Sequence, residues 1–176
     1  TLTVRFGDTS QGSPGMRMQT FCESEFTFQI TVDPFATQDF ISFAEDDHPT
    51  IAIVPGELVN WKAVAPTLRR PGEPFRLSIK AEDAWGNPSD RIEQSVQLRA
   101  SAPVAGLPGS LDFRAGEFTQ EIEGLSVDEA GTVRFEILDE DGRSLATSNP
   151  LVIRDMAFAH FWSDMHGQSR ETIGIN

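Results

Sequence analysis

Phe75-Arg-Leu-Ser-Ile-Lys-Ala-Glu-Asp-Ala-Trp-Gly-Asn-Pro88 decides the fold of this chain. Phe75, Leu77, Ile79 and Ala81 recur with period two, which sets them on one face of an extended strand. Asp83 to Pro88 then reads as a tight turn. Gly86 and Asn87 tolerate left-handed backbone, and Pro88 has no N–H with which to continue a ladder.

The same rhythm extends in both directions. Val59, Trp61 and Ala63 alternate before this strand; after it come Val96/Leu98/Ala100, Leu111/Phe113, Phe118/Ile122, Val133/Phe135/Ile137 and Leu151/Ile153. Asp139-Glu-Asp-Gly142 supplies a hairpin turn. Seven short strands in about a hundred residues predict an immunoglobulin-like β-sandwich over residues 56–154. Val54-Pro-Gly56 marks its leading boundary. Residues 1–55 before it form a small β-rich segment built on Leu2/Val4/Phe6, Met16/Met18, Phe26/Phe28/Ile30/Val32, Phe40/Ile41/Phe43 and Ile51 to Val54. Sustained 3.6-residue periodicity is nearly missing, so the expected fold is all-β. Ser126-Val-Asp-Glu-Ala130 fits one turn of helix capped by Ser126, or equally a loop between strands.

Composition excludes several classes of function. A formal charge of −13 over 176 residues argues against nucleic acid, whose phosphates demand clustered Lys and Arg, and against anionic lipid. No apolar run is long enough to span a bilayer, so no membrane partner is expected. Cys22 is the single cysteine, so it makes no intrachain disulfide and leaves the compartment open, the cytoplasm slightly favoured over the periplasm. The acidic neighbours Glu23 and Glu25 disfavour a thiolate there, and a buried, unreactive thiol is expected. The chain opens on a strand pattern without Met or a signal core, which suggests a start inside a longer protein.

Most catalytic signatures are missing from the sequence. Three His and no Gly-x-Ser-x-Gly elbow leave no Ser-His-Asp arrangement to argue, and the two lysines, Lys62 and Lys80, lie in strands rather than in a phosphate loop. Glu45-Asp-Asp-His48 and Asp139-Glu-Asp141 lack the ligand spacing of a calcium loop and read as solvated turns, with His48 an exposed loop residue. The tail differs. Asp164 and His166 lie two apart, on one face of an extended strand that follows the aromatic run Ala157-Phe-Ala-His-Phe-Trp162. A neutral imidazole suits zinc, iron or manganese, and a carboxylate either ligates the metal or orients the His; Glu171 would complete the site or serve as a base. Mutual hydrogen bonding in a strand-end turn satisfies the same spacing.

Two resemblances add to these observations. Ala81-Glu-Asp-Ala-Trp-Gly-Asn-Pro88 resembles the turn of bacterial immunoglobulin-like repeats such as those of invasin-type adhesins, which implies a scaffold over residues 57–153 and no activity by itself. Phe161-Trp-Ser-Asp-Met-His-Gly-Gln-Ser-Arg-Glu-Thr-Ile-Gly174 resembles the segment that opens the conserved domain of a bacterial family of unknown function, numbered 3604 among such families. Gly12-Ser-Pro-Gly15, Val32-Asp-Pro-Phe35, Val54-Pro-Gly56 and the turn at 81–88 look like that family's amino-terminal part. The family is similar to the PHP (polymerase and histidinol phosphatase) metal-dependent phosphoesterases, whose distorted β/α barrel begins with Asp-x-His-x-His-Thr. Asp164 and His166 match its first two positions, Gln168 stands where the second His would be, and Ser163 replaces a usual glycine.

The resemblance implies that residues 155–176 start a PHP-like metal-hydrolase domain, of which this chain carries only the first strand. Asp164 and His166 would be metal ligands and Glu171 a catalytic base. The cofactor would be a divalent metal, zinc, manganese or iron, in the complete protein, with none bound by this chain. The partner would be the remainder of its own catalytic domain, and the chain alone would be inactive. The rival is an immunoglobulin-like binding or spacer module for carbohydrate or protein. Exposure of Trp61 and Trp85 would favour it, and burial of both would weaken it.

Overall fold

The computed structural model describes residues 3–158. Among these residues fourteen strands are joined by turns, with one 3-10 turn at Glu45–Asp47 between the third and fourth. The amino-terminal strands are β1 (Glu23–Thr27), β2 (Thr31–Val32), β3 (Ile41–Ser42) and β4 (Thr50–Ile53). They are followed by β5 (Asn60–Val64), β6 (Leu68–Arg69), β7 (Phe75–Glu82), β8 (Gln94–Ala100) and β9 (Ser110–Phe113). The last five are β10 (Thr119–Leu125), β11 (Gly131–Val133), β12 (Phe135–Leu138), β13 (Ser144–Thr147) and β14 (Leu151–Ile153). The all-β, sandwich-like fold expected from the alternation is the one observed.

The core forms between two sheets. Antiparallel β10-β7-β5 supplies one layer, and antiparallel β13-β12-β8-β9 supplies the other. Phe75, Leu77, Ile79 and Ala81 on β7 are all buried, while Arg76 between them stays in solvent. Aromatic rings lock the layers together. Trp61 on β5 meets Phe113 on β9 edge to face at 4.9 Å, and Phe75 on β7 meets Phe135 on β12 at 6.1 Å. Each fully buried Leu, Ile or Phe contributes about 1.5–3 kcal/mol of transfer free energy, so this alternating face is the main source of stability. A third sheet, β11-β14-β6, closes the assembly; β14 pairs antiparallel with β11 and parallel with β6.

Several sequence expectations change in detail. Val133, Phe135 and Ile137 alternate as predicted, yet the chain changes sheets at Arg134, so one predicted strand is two, β11 and β12. Ser126 to Ala130 takes the loop of the two alternatives its sequence left open. Strands β6 and β13 carry too little alternation to be read and are fixed by their partners.

The amino-terminal segment departs most. Phe26, Phe28, Ile30 and Val32 do not form one strand: β1 stops at Thr27, after which Phe28 N–H donates to Pro49 O at 2.9 Å and Ile30 N–H to His48 Nδ1 at 3.0 Å. Val4, Phe6, Met16 and Met18 lie in no strand. Phe6 stacks instead on Phe28 at 4.6 Å. The two ladders here, β1-β4 and β2-β3, are two strands wide, and no side chain between residues 3 and 55 is buried. Alternation is present in this segment; a second layer over it is not, among the described residues.

Candidate functional site

Asp164, His166 and Glu171 lie outside the described residues, as do the other positions of the tail motif. Among the described residues no group of three or more His, Cys, Asp or Glu is placed to hold a metal ion. No helix among them is long and apolar enough to cross a membrane. The chain approaches the tail from β14, beyond which Arg154 N–H donates to Arg69 O and the Arg70 guanidinium donates to Ala157 O at 3.3 Å.

The most constructed polar cluster is the turn that decides the fold. Asp83 is 2% exposed, and its carboxylate accepts four hydrogen bonds. Oδ1 takes the backbone N–H of Trp85 at 2.8 Å and of Asn87 at 2.9 Å. Oδ2 takes Gly56 N–H at 3.0 Å and Asn87 Nδ2 at 2.8 Å. Burial pushes this carboxyl upward, but the bonds from the Asn87 side chain and from Gly56, Trp85 and Asn87 N–H outweigh it, so Asp83 is held well below the usual carboxylate range. Gly86 takes φ +85°, a conformation that favours glycine; Asn87 does not need left-handed backbone.

Asn87 has a different task. Its Oδ1 accepts Cys22 N–H at 3.0 Å and its Nδ2 donates to Thr20 O at 2.8 Å, so it ties the amino-terminal segment to the sandwich. Ser89, fully buried, donates from Oγ to Gly56 O at 3.0 Å. Both backbone polar groups of Gly56, at the predicted boundary, are therefore held by the turn. The sequence pattern accounts for the local bonds of this turn, not for its reach to residues 20–22.

Cys22 sits beside this knot, half-buried. Desolvation pushes its thiol pKa up, and the charges of Asp83 and Asp90 add to the rise. An unreactive thiol was the expectation from Glu23 and Glu25; the charges responsible come instead from the sandwich. Next to Asp83, Glu82 is 4% exposed and receives Lys62 Nζ and Lys80 Nζ at 2.8 Å each. Burial raises its pKa less than the two ammonium groups lower it, and the net shift is downward.

The two tryptophans diverge. Trp61 is 7% exposed and belongs to the core, whereas Trp85 is 64% exposed at the tip of the braced turn. Its indole borders a cleft of about 320 Å³ at the seam between the segment and the sandwich, with Met18, Ile53 and Val54 as apolar walls and Arg17 among the lining groups.

His48 is half-buried rather than a free loop residue. Because its Nδ1 accepts Ile30 N–H, the ring proton sits on Nε2, 3.3 Å from Ser42 Oγ. The imidazole thereby replaces a backbone carbonyl in an interrupted ladder. It borders an open, acidic cleft of about 790 Å³ with Glu25, Glu45 and Asp46. No family model and no curated protein matches the chain.

Proposed function

We propose that this chain is the non-catalytic β-sandwich accessory region of a metal-dependent hydrolase, with phosphoester as the substrate class. The observation that carries the proposal is the Asp164-x-His166 pair within a tail that resembles the opening of a PHP-like catalytic domain. A divalent zinc, manganese or iron ion would supply a bound water of lowered pKa. Asp164 and His166 would hold it, with Glu171 as a base, and the remaining ligands would come from chain beyond Asn176.

The surface of residues 3–55 supports an accessory role. Phe6, Phe21, Phe35, Phe40, Ile41 and Val54 are all more than half exposed there, apolar surface that the remainder of a larger protein would cover. Metal analysis and phosphoesterase assay of the full-length protein, beside its His166→Ala variant, test the proposal. Loss of bound metal and of activity in the variant is expected. Retention of both removes His166 from the site, and a wild-type full-length protein with neither metal nor activity removes the hydrolase. The 176-residue chain alone is expected to hydrolyse no phosphoester.

A second function, a bacterial immunoglobulin-like binding module, is favoured by one observation: Trp85 is presented to solvent on a rigid turn. A screen of immobilised glycans and cell-surface proteins with wild type and Trp85→Ala tests it. Finding no ligand whose binding depends on Trp85 removes this function.

A further inference from the structure

We propose that the cleft beside Trp85 is a binding site for a pyranose ring that carries a carboxylate, as in uronic-acid oligosaccharides. The proposal rests on the binding-module function and names its ligand.

Three features converge. The first is rigidity. Asp83 fixes the turn through the Trp85 and Asn87 N–H groups, and Asn87 clamps residues 20–22 across the seam, so both walls of the cleft are held before any ligand arrives. The second is the indole. An exposed Trp face carries negative quadrupole density, and the C–H bonds on one face of a pyranose ring present the complementary positive edge. Met18, Ile53 and Val54 extend that apolar floor. A volume of about 320 Å³ suits one or two sugar rings, at the small end of ligand sites.

The third is charge. Arg17 is the one cationic side chain lining the cleft, and it has no ion-pair partner among the described residues. Its guanidinium fork matches a carboxylate with two parallel N–H bonds. The carboxylate of Asp83, the other charged group in the lining, is already saturated by four donors and cannot accept sugar hydroxyls without breaking the turn. Gln19 Nε2 is likewise occupied, by Phe21 O and Glu23 Oε2. The free recognition elements are therefore one aromatic face and one cation, with Gln19 Oε1 and the Thr20 hydroxyl left to meet sugar hydroxyls. The protein's net charge of −13 repels an anion at a distance, but at physiological salt that field is screened beyond about 8 Å. Within the cleft the Asp83 carboxylate opposes the ligand, its charge spread over four donors, and the bidentate bonds from Arg17 have to outweigh it.

Trigalacturonate and its neutral counterpart galactotriose, titrated into the 176-residue chain by calorimetry and Trp fluorescence, test the proposal. Saturable binding of trigalacturonate is expected, with galactotriose weaker by about tenfold. Trp85→Ala should weaken trigalacturonate binding by about tenfold, and Arg17→Gln should bring it down to the level of galactotriose. Both positions are exposed, and circular dichroism checks that each variant folds. No saturable binding of trigalacturonate overturns the proposal, as does equal binding of the two sugars or binding retained by either variant. No trigalacturonate binding together with Trp85-dependent binding of some other ligand in the screen above would overturn it while leaving the binding-module function intact.

Discussion

Replacing Asn87 by Ala should release the amino-terminal segment from the sandwich without unfolding the core. The side chain makes three hydrogen bonds, to Cys22 N–H, Thr20 O and Asp83 Oδ2, at 3.0, 2.8 and 2.8 Å. Only the bonds to Cys22 and Thr20 cross the seam, and two neutral bonds at about 1 kcal/mol each sum to about 2 kcal/mol. Asn87 is only half-buried, and water re-entering the site offsets part of this, leaving about 1–2 kcal/mol. At 1.36 kcal/mol per factor of ten, the opening equilibrium of residues 20–22 rises roughly 5- to 30-fold. Hydrogen exchange at the Cys22 amide reads this directly, because the amide loses its acceptor. Exchange at Leu77 and Ile137, deep in the sandwich, should hardly change. Trp85→Ala serves as a control, since only the backbone of Trp85 bonds to Asp83. An exchange rate at Cys22 within about threefold of wild type would refute the reasoning, showing that the segment is held by something other than this side chain.

Two further outcomes follow from the same knot. Asp83 has a folded pKa below that of an unfolded carboxyl, so the unfolded chain takes up the proton first. Its stabilisation is present above about pH 4 and is lost as pH falls towards the lower folded value; Asp83→Asn should be less stable at neutral pH and show a flatter acid limb in urea midpoints measured from about pH 6 to pH 2. Cys22, with its thiol pKa raised by desolvation and by Asp83 and Asp90, should react with a disulfide reagent at about pH 8 several-fold more slowly folded than in urea. Equal rates would remove the electrostatic account of that thiol.

The sandwich was legible because alternation and burial report the same thing there. Phe75, Leu77, Ile79 and Ala81 face a second sheet, so period two in the sequence becomes period two in burial. Phe26, Phe28, Ile30 and Val32 show the same period without a covering layer, and there the pattern overstated the strand. Val133, Phe135 and Ile137 mark a third limit. Alternation gives which side chains point inward, not which neighbour accepts the hydrogen bonds, so the change of sheet at Arg134 left no trace in it. The Asp83 turn was recognisable from its own residues, but its bonds to Thr20 and Cys22 join positions more than sixty residues apart. Trp61 and Trp85 were equivalent candidates in the sequence, and only the packing of Trp61 on Phe113 separates them.

Strand β14 carries a consequence for how the molecule assembles. Leu151 and Ile153 are buried, yet one of the two partners of their strand is Leu68–Arg69, across a parallel pairing that no hairpin can nucleate. Closing so long a loop is entropically slow, so folding should wait on this encounter rather than on any local turn. A ribosome-bound chain ending before residue 151 would expose the underside of its core, and chaperones would meet it in that condition.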